Sequence, residues 1–89
     1  MSTQLINLIK NGATIIDVRT PGEFAEGCNP KSINIPLDVF PQKLATLAPD
    51  RNYVLCCASG GRSQMAASLM KGGGFKVVVN AGPWQNTLV

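Results

Sequence analysis

The sequence predicts an α/β fold, a parallel sheet of four to five strands flanked by helices on both faces. Three observations carry that expectation. Short apolar runs rich in Ile and Val alternate with segments of helical periodicity, and alternation of this kind builds a parallel sheet with right-handed crossovers. The runs are largely apolar throughout, as strands covered on both faces are. The chain has 89 residues, 45% of them hydrophobic, so residues 1–89 read as one domain with enough apolar surface to fold without staples.

The elements follow in order. Leu5, Leu8 and Ile9 share one helical face, and Gly12 is the stop. Ala13 to Val18, ATIIDV, is the first strand, a short apolar run ending in a charge. Thr20-Pro21-Gly22-Glu23 has capping-box spacing with Pro at the first helical position, which opens a short helix ending at Gly27. Ser32 to Ile35 is a second strand, closed by Pro36. Asp38 to Leu47 carries Phe40, Leu44 and Leu47 at helical spacing, with Pro49 as the terminator. Tyr53 to Cys56 is the third strand. Ser63 to Met70 is a helix with Met65/Leu69 and Ala66/Met70 as i,i+4 pairs, broken by Gly72-Gly73-Gly74. Phe75 to Asn80 is the fourth strand, followed by Ala81-Gly82-Pro83-Trp84.

Composition removes several classes of function. The net charge is +3, and its eight basic residues are scattered rather than clustered, so no nucleic-acid footprint is expected. No run reaches the roughly 18 apolar residues of a membrane span. The chain has no histidine, which excludes Cys-His and Ser-His pairs. Its three cysteines, Cys28, Cys56 and Cys57, fit neither a disulfide framework nor a zinc spacing. Free thiols in a reducing compartment, with no metal and no cofactor, are the expectation. The first residues lack a secretory pattern, which points to the cytoplasm; a leader removed upstream would point to the periplasm instead.

The stretch Leu55-Cys56-Cys57-Ala58-Ser59-Gly60-Gly61-Arg62-Ser63-Gln64 joins the third strand to a helix. Sites in parallel sheets gather at these carboxyl ends. Glycines let successive N–H groups turn inward around an anion, and a helix N-terminus adds its positive end. Arg62 adds a permanent charge. A cysteine at the mouth of such a loop has a lowered pKa without a histidine. Cys56 reads as the last packed residue of the strand and Cys57 as the reactive thiol, with Ala58, Ser59, Gly60, Gly61 and Arg62 around the bound anion. Ser63 reads as the helix cap. Asp17, Arg19 and Glu23 read as pairing and capping groups, Trp84 as packing, and Cys28 as an inert thiol.

Counted from Cys57 the loop is C-x4-R, and counted from Cys56 it is C-x5-R. The second spacing resembles that of cysteine-dependent phosphatases and arsenate reductases, but Leu55 stands where related phosphatases carry a histidine. The whole pattern resembles the rhodanese (thiosulfate sulfurtransferase) family in its small single-domain form. Cys57-Ala58-Ser59-Gly60-Gly61-Arg62-Ser63 is similar to the family loop, Asp17 through Gly27 to Pro36 resembles a second family segment, and Gly74 to Trp84 resembles the closing strand. Three departures stand out. Cys28-Asn29 occupies the usual His-Ile position, Ala81-Gly82-Pro83 replaces the common Gly-Gly-Ile, and the short strand before the first helix is missing or shortened.

The resemblance implies a rhodanese-like domain and a sulfurtransferase. It takes sulfane sulfur from a small anionic donor such as thiosulfate or a polysulfide, carries it as a Cys57 persulfide, and passes it to cyanide, a thiol or a sulfur-accepting protein. The loop N–H groups from Ala58 to Arg62 would hold the persulfide charge, and Arg62 would help bind the donor. A non-catalytic binding module of the same family commonly lacks the cysteine, which this chain keeps.

Overall fold

The computed structural model describes residues 3–89. Four parallel strands form the sheet: β1 (Thr14–Asp17), β2 (Ile33–Asn34), β3 (Asn52–Cys57) and β4 (Val77–Pro83), in the order β2-β1-β3-β4. The helices are α1 (Thr3–Lys10), α2 (Pro21–Glu26), α3 (Phe40–Lys43) and α4 (Gly61–Gly72). No strand precedes α1 among the described residues, so the lower end of the expected strand count holds. No helix among them is long and apolar enough to cross a membrane.

Local chemistry accounts for the element boundaries. Beyond α1, Ala13 N–H donates to Leu8 O at 3.0 Å and Gly12 N–H to Ile9 O at 3.1 Å. These two bonds form a Schellman closure. α4 ends the same way, with Phe75 N–H on Met70 O and Gly74 N–H on Lys71 O. α2 has the full capping box: Glu23 N–H donates to Thr20 Oγ1 at 3.2 Å, and Thr20 N–H donates to Glu23 Oε1 at 3.1 Å.

The expected helix from Asp38 to Leu47 is broken into a 3-10 turn (Leu37–Val39), α3, and a second 3-10 turn (Leu44–Thr46). Pro41 is the cause. It has no N–H to bond back to Leu37 O, so the α-helix begins only around it. The apolar spacing still serves the core, since Phe40 is buried and Leu44 and Leu47 pack against it. β4 runs past its expected end at Asn80 to Pro83, and a final 3-10 turn (Trp84–Thr87) follows.

The sheet separates two apolar layers. Ile16, Val18, Tyr53, Leu55, Cys57 and Val78 pack with Phe40 of α3 and with Ala66, Ala67 and Met70 of α4. Ile15, Val54, Cys56 and Ala81 pack on the other face with Leu5 of α1. Side chains alternate along a strand, so the neighbouring thiols of Cys56 and Cys57 enter opposite layers. α2 buries no residue. It sits at the carboxyl end of β1, where the Arg19 guanidinium donates to Glu23 O and Gly27 O.

That guanidinium is the structural hub of this end. Asp17 is 0% exposed and Arg19 5%. Arg19 Nη2 lies 2.8 Å from Asp17 Oδ2 and Nε lies 3.0 Å from Oδ1. The Trp84 ring covers the cation at 5.2 Å, and a Cβ at Gly27 would meet that ring at 3.6 Å. Asp17 and Arg19 are therefore a buried pair holding β1, α2 and the last turn together, as their expected pairing role requires.

Candidate active site

β3 ends at Cys57 and α4 begins at Gly61, so only Ala58, Ser59 and Gly60 make the turn. Gly60 takes φ +105°, and a Cβ there would meet Gly82 Cα of β4 at 3.3 Å. Glycine relieves both the left-handed backbone and the close approach. The tight turn folds the chain back over its own sulfur. Gly60 N–H donates to Cys57 Sγ at 2.9 Å, and Ser63 Oγ lies 3.3 Å from the same atom. The cysteine has no exposed surface, while Ala58, Ser59 and Gly61 above it are exposed. The loop must therefore yield slightly before a second sulfur can reach Sγ.

The two thiols are electrostatically unlike. Burial, and then the Asp17 charge, push Cys56 up to about 12 against the opposing pull of Arg19. It remains a thiol at neutral pH. Burial also pushes Cys57 upward. The Ser63 hydroxyl and the N–H groups of Ser63, Gly60 and Ser59 together outweigh it and bring the Cys57 thiol below its ordinary value. A carboxylate or thiolate held by several donors behaves in this way. Cys57 also lies on the sheet face covered by α4, and those amides come from the turn before α4 and from its first turn.

Two site expectations change in detail. Gly60, not Ser63, occupies the cap position of α4. Ser63 sits two residues inside the helix, fully buried, with its hydroxyl turned back toward Cys57, Gly60 O and Asn80. Arg62 does not stand free over the loop. Its Nη1 and Nη2 lie 2.7 and 2.9 Å from the two carboxylate oxygens of Glu23, a bidentate pair that ties α4 to α2. Its charge still acts on Cys57. Arg62 also walls an apolar cleft of about 390 Å³ with Val18, Thr20, Pro21, Pro36, Leu37 and Asp38. The Ser63 groups and Asn80 were missed in the sequence. Ser63 carried a usable signal, a hydroxyl six residues after the cysteine, whereas Asn80 carried none.

The Arg62 pair holds the Glu23 carboxyl at about 2, below the ordinary 4.5, with help from the Thr20 N–H. A depressed folded-state pKa means stability that is fully present above pH 4.5 and lost as pH falls toward 2. The stability difference between wild type and Glu23→Gln should therefore shrink across that window. Urea midpoints at several pH values check this, and a difference that stays constant down to pH 2 would contradict the pairing.

A cysteine beneath an amide-lined turn, at the carboxyl end of a parallel strand and the start of a helix, defines an α/β domain with a thiol at its loop. The rhodanese-like domain family matches residues 1–87, and the chain belongs to that family. It is 33% identical over 66 residues to a sulfurtransferase of Allochromatium vinosum, an alignment covering 74% of this chain and 62% of that protein. It is 35% identical over 69 residues to a thiosulfate sulfurtransferase of Escherichia coli, covering 75% and 66%. The chain thus spans less than two thirds of the first of these relatives. The solved structure of a human single-domain sulfurtransferase superposes with a TM-score of 0.82 at 27% identity, covering 96% of this chain and 89% of that one.

Proposed function

We propose that the chain is a sulfurtransferase that moves sulfane sulfur from an anionic donor of the thiosulfate type to cyanide or a thiol through a persulfide on Cys57. The observation that carries this reading is the Cys57 sulfur held by the Gly60 N–H at 2.9 Å and the Ser63 hydroxyl at 3.3 Å. In the first step the Cys57 thiolate attacks the outer sulfur of thiosulfate. The S–S bond of the donor breaks, and sulfite leaves with the bonding pair. The outer sulfur now carries the negative charge. The loop from Ala58 to Arg62 supplies amides to that sulfur, a preorganised cradle for charge that appears during reaction. In the second step the acceptor attacks that outer sulfur and the Cys57 thiolate is restored, so one hard transfer becomes two easier ones.

Arg62 enters this scheme with its charge already balanced by Glu23. It contributes a fixed wall and a local field more than an unengaged cation. The phosphatase-like reading through Cys56 has the opposite support. Its thiol lies in the α1-side layer, fully buried, and is pushed to about 12. Paired assays test the choice. Thiocyanate should form from thiosulfate and cyanide, and an aryl phosphate should not be hydrolysed above background. Phosphate release without thiocyanate formation would overturn the assignment.

A further inference from the structure

The Ser63 hydroxyl has one proton and three acceptors around it. Asn80 Oδ1 is at 2.6 Å, Gly60 O at 3.2 Å and Cys57 Sγ at 3.3 Å. Ser63 is fully buried. The Asn80 amide is not free to turn over. Its oxygen accepts the Gly82 N–H at 2.9 Å, while its NH2 donates to Gly60 O and to Gln64 Oε1, each at 3.2 Å. Flipping it would set donor against donor and acceptor against acceptor.

A bulge builds this arrangement. Leu55 pairs with Asn80, but Cys56 pairs with Gly82, so Ala81 is an extra residue. The bulge turns the Gly82 N–H onto the side chain of Asn80 and keeps Asn80 on the α4 face beside the loop.

We propose that Asn80 is a positioning residue for the sulfur chemistry: its carboxamide oxygen competes with the Cys57 sulfur for the single Ser63 hydroxyl proton, and so sets how tightly that hydroxyl holds the thiolate. The proposal rests on Cys57 being the reacting thiol. In the thiol form, Cys57 S–H donates to Ser63 Oγ and the Ser63 proton points to Asn80. On ionisation the thiol proton leaves to solvent. The Ser63 O–H can then rotate toward Sγ, with no O–H bond broken, but only by giving up its short bond to Asn80. That competition leaves the thiolate less stabilised and more nucleophilic. Once sulfur is transferred, the charge sits on the outer sulfur and the proton returns to Asn80, which favours the persulfide.

The charged and titratable groups around Cys57 are Arg62 of α4, paired with Glu23 of α2; Cys56 on the same strand; and Asp17 with Arg19 at the end of β1. Asp38, exposed, lies in the turn packed on α4. Near the loop β4 brings only neutral groups, Asn80 and Gly82. Substituting Asn80 with Ala leaves every one of these charges in place.

The test is the pH dependence of iodoacetamide alkylation at Cys57, in a Cys28→Ser background, with the modified site assigned by peptide fragmentation. Asn80→Ala should lower the apparent Cys57 pKa by about half to one unit, roughly three- to tenfold in ionisation constant. Ser63→Ala should raise it, and adding Asn80→Ala to Ser63→Ala should give no lowering. Asn80→Leu, close in shape and without the acceptor, should lower the pKa as Asn80→Ala does. A purely structural role would loosen the loop, strip amides from the sulfur and raise the pKa in Asn80→Ala as well. That rise, or an equal lowering without Ser63, overturns the proposal. If Asn80→Ala does not fold, Asn80→Leu decides, and an unchanged or raised pKa overturns it. Alkylation does not require sulfur transfer, so normal shifts with no persulfide would fault the reading of Cys57 and leave the coupling standing.

Discussion

Cys57→Ser is expected to lower thiosulfate-to-cyanide transfer by about three orders of magnitude or more, because a hydroxyl replaces the thiol whose ionisation the loop amides and the Ser63 hydroxyl favour. Cys56→Ser should leave the rate within a few-fold of wild type. The two residues are adjacent, so a general disturbance of the strand would affect both variants. The strand parity separates them. Cys57 enters the layer shared with α4 and meets the Gly60 N–H and Ser63, whereas Cys56 enters the α1 layer. Steady-state rates on both variants check this. A large loss in Cys56→Ser with retained transfer in Cys57→Ser would place the chemistry on the wrong face.

The second large effect concerns stability. Arg19→Met should destabilise the protein by about 3–5 kcal/mol, since it leaves the buried Asp17 carboxylate without its partner. At about 4–8 °C per kcal/mol for a chain of this size, the melting temperature should fall by about 12–40 °C. Two further bonds are lost, to Glu23 O and Gly27 O, together with the stacking on Trp84. Asp17→Asn combined with Arg19→Met should recover part of the loss, because the orphaned charge is gone. Urea and thermal unfolding measure both. A loss under about 1 kcal/mol would mean that the pair behaves like an exposed one.

The short-range features were legible in the sequence. Thr20, Pro21 and Glu23 announce α2 to the residue, because a capping box is local chemistry and needs no tertiary partner. The sheet class was legible because apolar runs and helical spacing are themselves local. The segment from Asp38 to Leu47 was not, since Phe40, Leu44 and Leu47 face the core correctly while Pro41 denies the backbone a continuous helix. At the site, the choice of Cys57 over Cys56 followed from the loop. Strand parity would have reached it independently, since only one of two neighbouring residues can share a face with the helix that follows. Arg62 was expected to face the anion, and its pairing with Glu23 depends on where α2 lies, a tertiary fact. Asn80 was invisible for the same reason, as its contact with Ser63 depends on how β4 lies beside α4.

The central claim is that Cys57 carries the transferred sulfur, and intact mass under non-reducing conditions after incubation with thiosulfate tests it most directly. Wild type and Cys56→Ser should each gain one sulfur atom, released by cyanide, and Cys57→Ser should gain none. An adduct that survives Cys57→Ser and disappears in Cys56→Ser would contradict the account.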